Sequence, residues 1–333
     1  MYAAIDIHKH VFQAVTLDPE SGQLDEARLP ATREALAGWL ARSDGQLVAV
    51  AIEATCGWRW VARELQARGV DVRLAEPAQA RALKGKKRQA KTDRLDARWL
   101  VMLLAKEMLP GSWLPPEDIQ QLRDLTRLRQ ALRHDRTRWA QRLHAILLHE
   151  GWPCSRSELL RPRGRRWLEA LQLDRHVRRV VEAQIEMITV IEEQMAEIDR
   201  ELRTLARGDR RLLALQTIYG VGPVLACHLL AEIGDAGRFR RARQLVRVAG
   251  LDPVVLESGD SRRRGKLSKQ GSPHLRWALV QAAQHTARRA ESPDRDLYLQ
   301  VKARAGGQRA TLSTARKIAR RAHHLLATLD NAA

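Results

Sequence analysis

Met1-Tyr2-Ala3-Ala4-Ile5-Asp6-Ile7 is a strand-like apolar run with one carboxylate set into it. Burying that carboxylate costs free energy unless something pairs with it, so Asp6 has to be explained. A second run, Leu47-Val48-Ala49-Val50-Ala51-Ile52-Glu53, is almost continuously apolar and closes on another acid. Such a run suits a buried, parallel strand. Between the two, Val11–Leu17 and Gln23–Leu29 read as strands, with Pro19-Glu20-Ser21-Gly22 as the turn. Thr32–Arg42 has helical periodicity and a cap at Thr32. Trp58–Arg68 reads as a helix ending at Gly69, and Val70–Leu74 as a short strand. Asp93–Met108 reads as a helix capped by Thr92 and stopped by Leu109-Pro110-Gly111. The order βββ-α-β-α-β-α predicts a mixed α/β sheet with helices on its faces.

Composition narrows the partners. The chain has 333 residues, enough for about two domains, and a formal net charge of +19. That balance favours a polyanion, and arginine, which far outnumbers lysine here, suits phosphate. No apolar run is long enough to span a membrane, and no basic segment followed by an apolar stretch marks a signal peptide. Cys56, Cys154 and Cys227 are too scattered for a zinc site or a disulfide framework. The expectation is a reduced, cytoplasmic, nucleoid-associated protein. Neither a Walker A nor a kinase Gly-rich sequence is present, which argues against helicases and kinases.

Beyond the linker Pro115-Pro116 the pattern turns helical. Residues 117–150 and 174–207 are long and charged, with Leu122, Leu125, Leu128 and Leu132 in the first and Ile185, Ile188, Ile191, Met195 and Ile198 in the second. Separated by the Gly-, Pro- and Arg-rich stretch 151–166, they predict an antiparallel coiled-coil hairpin. Leu213 to Ala226, centred on Gly220-Val221-Gly222-Pro223, reads as helix, glycine turn, helix. It resembles a helix-hairpin-helix, which holds nucleic-acid backbone without reading bases. Between residues 236 and 276 stand eleven Lys or Arg against three Asp or Glu. Arg262, Arg263, Arg264, Lys266, Lys269 and Arg276 are the candidate phosphate contacts, in what reads as a glycine-rich loop carrying Ser258 and Ser268. The expected domains are 1–110, 117–207 and 208–333.

The candidate chemistry starts from Asp6, Glu53, Asp93 and Asp96. Asp96 follows Asp93 by three residues, so the two share a helix face. Acids in a helix's first turn are favoured by the macrodipole alone; a strand-centre Asp6 has no such reason. Glu53 closes a strand at the end where α/β sheets gather ligands. Together the four fit one or two Mg2+ (or Mn2+) ions that polarise a phosphate. His8 and His10 lie close enough to Asp6 to be metal-adjacent. A serine beside arginines and a metal is a candidate nucleophile. Tyr219, in the glycine turn, is a far weaker one.

With its three opening strands the first part resembles an RNase H-like, RuvC-like nuclease core. Ala4-Ile5-Asp6-Ile7-His8-Lys9, Ile52-Glu53-Ala54-Thr55-Cys56-Gly57, Lys91-Thr92-Asp93-Arg94-Leu95-Asp96-Ala97, Gly220-Val221-Gly222-Pro223, Gly250-Leu251-Asp252-Pro253, Ser258-Gly259 and Ser268-Lys269-Gln270-Gly271 stand in order along nearly the whole chain. In that combination the chain resembles the DEDD-type transposases of bacterial insertion sequences, the group of bridge-RNA-guided recombinases. The resemblance implies a RuvC-like N-terminal domain joined through a coiled coil to a mainly helical transposase domain. It implies that Asp6, Glu53, Asp93 and Asp96 hold Mg2+ and that a serine, by motif position Ser258 before Ser268, attacks the DNA strand. It further implies element-end and target DNA as substrates, a noncoding guide RNA, and a homo-oligomer between dimer and tetramer in which one chain's acids meet another's serine. Gln270-Gly271-Ser272 departs from the family's basic residue, Gly and Asn, a change expected to affect local loop geometry. The same acids without the serine would give a structure-selective endonuclease, and acids that are purely structural would give a non-catalytic nucleic-acid scaffold.

Overall fold

A computed structural model describes residues 1–43, 45–83, 93–155, 158–258 and 261–330, with the side chains of 255–258, 261–264, 288 and 330 left aside. Thr92 and the basic stretch from Lys84 to Lys91 lie outside the described residues. The chain forms two compact units, Met1–Leu114 and Pro115–Ala333.

The first unit runs β1 (Tyr2–Ile7), β2 (Val11–Leu17), β3 (Leu24–Pro30), α1 (Arg33–Arg42), β4 (Ala49–Glu53), α2 (Trp58–Gln66), β5 (Asp71–Ala75), α3 (Pro77–Ala82), α4 (Asp93–Ala105) and β6 (Gly111–Ser112). The six strands make one mixed sheet in the order β3-β2-β1-β4-β5-β6. β1, β2 and β3 are antiparallel neighbours, whereas β4 and β5 run parallel to β1. Thr32 caps α1 as its sequence predicts, accepting from the Ala35 amide at 3.2 Å. The short pieces α3 and β6 are not expected from the sequence; six and two residues carry too little periodicity to announce themselves.

Strand alternation divides the core. Ala3, Ile5 and Ile7 of β1 pack with Val50 and Ile52 of β4 on the face that also buries Leu36, Val61 and Leu65 of α1 and α2. Ala4 and Ala51 point the other way, against Ala97, Leu100, Val101 and Leu104 of α4. These small residues let α4 lie close to the sheet, and its N-terminal turn then stands over the carboxyl ends of β1 and β4.

The second unit is mainly helical: α5 (Glu117–His149), α6 (Pro162–Ala170), α7 (Arg175–Gly208), α8 (Arg210–Gln216), α9 (Pro223–Ile233), α10 (Ala242–Val248), the strands β7 (Pro253–Ser258) and β8 (Ser261–Leu267), then α11 (Pro273–Arg288), α12 (Arg295–Ala305) and α13 (Gly307–Asp330). The two long helices pair antiparallel, as the ion pairs Arg129–Asp199 and Arg136–Glu192 require. The isoleucines of α7 follow the expected seam, with Ile188, Ile191 and Ile198 buried. The leucines of α5 do not: Leu128 is 51% exposed, while Thr126 and Gln130 take the buried positions. From Leu122 the buried path advances by four residues, not three, and it carries polar side chains because it faces a polar cluster on α9 and α11. There Arg127 forks onto the buried Glu232, at 2.9 and 3.2 Å, and Gln130 bonds His274. A second correction concerns residues 253–267, read from sequence as a glycine-rich loop. Pro253–Ser258 and Ser261–Leu267 instead pair as two antiparallel strands, with Ser258 facing Ser261 at the end of the pairing. Ser261 to Arg264 are too polar and basic to read as a strand; the pairing is carried by backbone bonds to Pro253–Ser258.

Candidate metal centre and basic hairpin

Parallel pairing aligns Ile5 with Ile52, so Asp6 and Glu53, one residue further on, leave adjacent strands at the same level and on the same face. That face is the one α4 covers, and Asp93 and Asp96 occupy its first turn. All four carboxylates line one cavity of about 1150 Å3, together with His8 and Lys9. Arg94 of α4 reaches Glu26 of β3 at 2.6 Å, and Arg98, which also lines the cavity, pairs with the same carboxylate.

The innermost acid is Asp6, 7% exposed, while Asp93 is open to solvent. His8 stands between them, with Nε2 3.2 Å from Asp6 Oδ2 and 3.2 Å from Asp93 Oδ1. Ligand atoms of Asp6, His8 and Asp93 all fall within 4.8 Å of one another. Burial lifts the Asp6 carboxyl above its ordinary value; His8 opposes this, and the charges of Asp93 and Asp96 add to the lift. A carboxylate that is both buried and crowded by acids gains from a dication, so the oxygen-rich donor set fits a hard divalent metal. His8 is the residue that the sequence undervalued. Its spacing from Asp6 was visible, but the approach of Asp93 depends on how α4 lies on the sheet.

In the second unit the sequence-derived candidates are placed unequally. Ser268 is committed at both ends: its Oγ donates to Asp252 Oδ1 at 2.6 Å and its amide to the Asp252 carbonyl at 2.9 Å. Lys266 and Lys269 are exposed, the latter with φ 51°. Arg276 turns inward, its Nη1 donating to the Ala249 carbonyl at 3.1 Å. The side chains of Ser258, Arg262, Arg263 and Arg264 lie outside the described residues. In the glycine turn, Gly220 has φ +84° and faces α11, where an added Cβ would meet the Ala282 carbonyl at 2.8 Å. Gly222 is open and begins α9. The departure at Gln270-Gly271-Ser272 has a clear local role. Ser272 caps α11, accepting from the Leu275 amide at 3.1 Å while donating to Glu232 Oε2 at 2.7 Å.

Two family models match the sequence of this chain. Residues 3–151 match a transposase model of the DEDD, IS110 type, and residues 196–299 match the Transposase IS116/IS110/IS902 family. The chain belongs to this family of insertion-sequence transposases. Among curated relatives, it is 32% identical to a putative transposase of Sinorhizobium fredii over 59% of this chain and 48% of that protein. It is 28% identical to the transposase for insertion sequence element IS1328 of Yersinia enterocolitica, over 73% and 72% of the two chains. It is 25% identical to the transposase for IS1111A of Coxiella burnetii, over 94% and 86%. The chain thus spans about half the length of the Sinorhizobium relative and more of the other two. Among the described residues no helix is long and apolar enough to cross a membrane.

Proposed function

We propose that the chain is the enzyme that cuts and joins DNA at the ends of an insertion sequence, using metal-binding carboxylates and a serine nucleophile, with a noncoding RNA choosing the sites. One observation carries this reading: Asp6, Glu53, Asp93 and Asp96, scattered over ninety-one residues of sequence, line a single cavity at the carboxyl edge of the sheet. A strand triplet followed by parallel strands with acids at their ends supports an RNase H-like, RuvC-like core. In this reading the four acids hold one or two Mg2+ or Mn2+ ions. Such a metal supplies a Lewis acid for the scissile phosphate. Asp6 fixes the inner side of the site, Glu53 and Asp96 its walls, and the exposed Asp93 its mouth.

Ser258 is the better nucleophile. The Ser268 hydroxyl is tied to Asp252 and its amide to the same residue, which suits a brace at the foot of the hairpin. Ser258 closes β7 at the far end, beside the run Arg262-Arg263-Arg264. Its oxygen would form a bond to phosphorus as one strand P–O bond breaks, the serine proton leaving and the released oxygen taking one up. Arg262, Arg263, Arg264, Lys266 and Lys269 would hold phosphates, with Gly222 at the start of α9, while Arg276 and Gly220 act by fixing the backbone. The antiparallel helices would serve as a coiled-coil arm between domains 1–110 and 208–333, in an oligomer where one chain's serine meets another's acids.

The test is a covalent-adduct assay. The protein, with RNA transcribed from the flanks of its element, is incubated with labelled element-end DNA and Mg2+ and run under denaturing conditions. The expected result is a protein–DNA adduct absent in Ser258→Ala and Asp6→Ala. Nicked DNA without any adduct would instead identify a structure-selective nuclease, and binding without breakage, unchanged by Mg2+, a non-catalytic scaffold.

A further inference from the structure

A second cavity, of about 970 Å3, lies wholly within the helical unit. One wall is the α8–α9 turn, Gln216 to Gly222; the others are the end of α11, with His285 and Arg289, and α13, with Arg321 and His324. The turn is fixed in place. Gly220 packs on the α11 backbone, where no side chain fits, and Thr286 Oγ1 donates to the Tyr219 carbonyl at 3.3 Å.

The charge of this cleft is one-sided. Among the described residues none that lines it is a carboxylate. Asp294, the acid bonded to the lining Arg321, is 2% exposed and is already shared by Lys317, at 2.7 Å, and Arg321, at 3.0 Å. Two cations on one carboxylate leave a positive excess there. The side chains of Arg289, His285 and His324 make no ion pair or hydrogen bond among the described residues. A concave cleft of this size holds a molecule of nucleotide dimensions, and among the described residues the only aromatic ring lining it besides the imidazoles is Tyr219.

We infer that this cleft binds an unpaired nucleotide of a nucleic-acid strand, with Arg289 on the phosphate and Tyr219 against the base. A phosphate needs a donor fork whose charge is not already spent, which Arg289 offers. A base freed from its partner gains by stacking on an aromatic side chain. A duplex, with its bases paired inside, meets the rim and leaves the depth of the cleft empty. The site is distinct from the acidic centre and from the β7–β8 hairpin. It rests on the proposed function only in that the chain handles nucleic acid.

The test uses the full chain and fluorescence anisotropy with three labelled probes: single-stranded DNA of about ten nucleotides, RNA of the same sequence, and a DNA duplex. Arg289→Ala is expected to weaken single-strand binding about tenfold at moderate salt and to lower the salt slope by about 0.7. Tyr219→Ala should cost about tenfold as well, and Tyr219→Phe, which keeps the ring, almost nothing. Arg200→Ala, a charge loss on an exposed face of α7, sets the baseline. Losses confined to the DNA or the RNA probe identify which strand uses the cleft, and both support it. The inference is overturned if Arg289→Ala and Tyr219→Ala match Arg200→Ala on both single strands, if the losses appear only with duplex, or if the wild type binds none of the probes. Metal-dependent nicking with unmoved affinities would sink the cleft alone; moved affinities without nicking or adduct would sink the proposed reaction and leave the cleft standing.

Discussion

Asp6 shows what one residue in a sequence can and cannot announce. A carboxylate inside an apolar strand demands a partner, and that much is legible without coordinates. Which partners it finds is not: His8 bonds it from the end of the same strand, and Asp93 meets His8 only because α4 lies over that edge of the sheet. Its raised carboxyl has a definite sign. With the folded value above the unfolded one, the ionised form is disfavoured in the metal-free fold, and stability declines as pH rises from about 3.8 through the folded value. At neutral pH, Asp6→Asn should therefore melt no lower than the metal-free wild type, yet lose the rise in Tm that Mn2+ gives the wild type. Thermal melts with and without the ion read both halves, and an unchanged Mn2+ response in the variant would refute the assignment of Asp6 as a ligand. His228 provides the opposite case. Burial pushes it down to about 3, with Arg129 and His274 adding to the effect, and its Nε2 has no partner among the described residues. The unfolded chain binds a proton near 6.5 that the fold refuses, so stability is complete above that pH and lost as pH falls toward 3. The slope in that window is about 1.4 kcal/mol per pH unit for this one group. Denaturant titrations at several pH values should show it, flattened in His228→Met.

At the scale of elements, the sheet was readable and the helical packing was not. β1 and β2 begin and end where apolar runs and turn residues place them, because a strand buried along nearly its whole length is written as a largely apolar stretch. The leucine stripe of α5 misleads because helix faces are chosen by neighbours: the buried Gln130 bonds His274, more than a hundred residues away, and no local pattern reports that. The junction at Glu232 is the clearest instance. Burial alone would raise its carboxyl, but the Arg127 fork, the Ser272 hydroxyl and the charge of Arg123 overcome this and hold it below the usual range. Glu232→Gln should cost about 2 kcal/mol at pH 7, since it loses the charge-assisted bonds and leaves Arg127 without a counter-charge. The folded value is depressed, so the difference between variant and wild type should shrink as pH falls through it. Ser272→Ala should cost about 1 kcal/mol through the lost cap. Equal urea midpoints for wild type and both variants would show that this junction does not hold α5, α9 and α11 together.

The whole molecule separates its basic charge from its carboxylate cluster. Residues 1–114 contain 17 Lys or Arg against 14 Asp or Glu, and the rest of the chain 41 against 25. The basic excess therefore belongs almost entirely to the helical unit, while the acids that would bind a metal stand in a unit close to neutral. A strongly positive surround would repel a dication, and a strongly acidic one would repel DNA; dividing the two tasks avoids both conflicts. The first unit also has its own sheet, with a hydrophobic cluster on each face. Expressed alone, residues 1–114 should unfold cooperatively, and Mn2+ should raise their Tm, by an amount that Asp6→Asn abolishes. The same fragment should bind single-stranded DNA and RNA at least about tenfold more weakly than the full chain, with a shallower salt slope, because little of the net positive charge remains in it. Calorimetry and anisotropy on the fragment beside the full chain decide this. A fragment that binds strands as tightly as the whole protein would place the phosphate contacts on the sheet unit and refute the division of labour. One that folds but ignores Mn2+ would mean that residues beyond 114 complete the metal site.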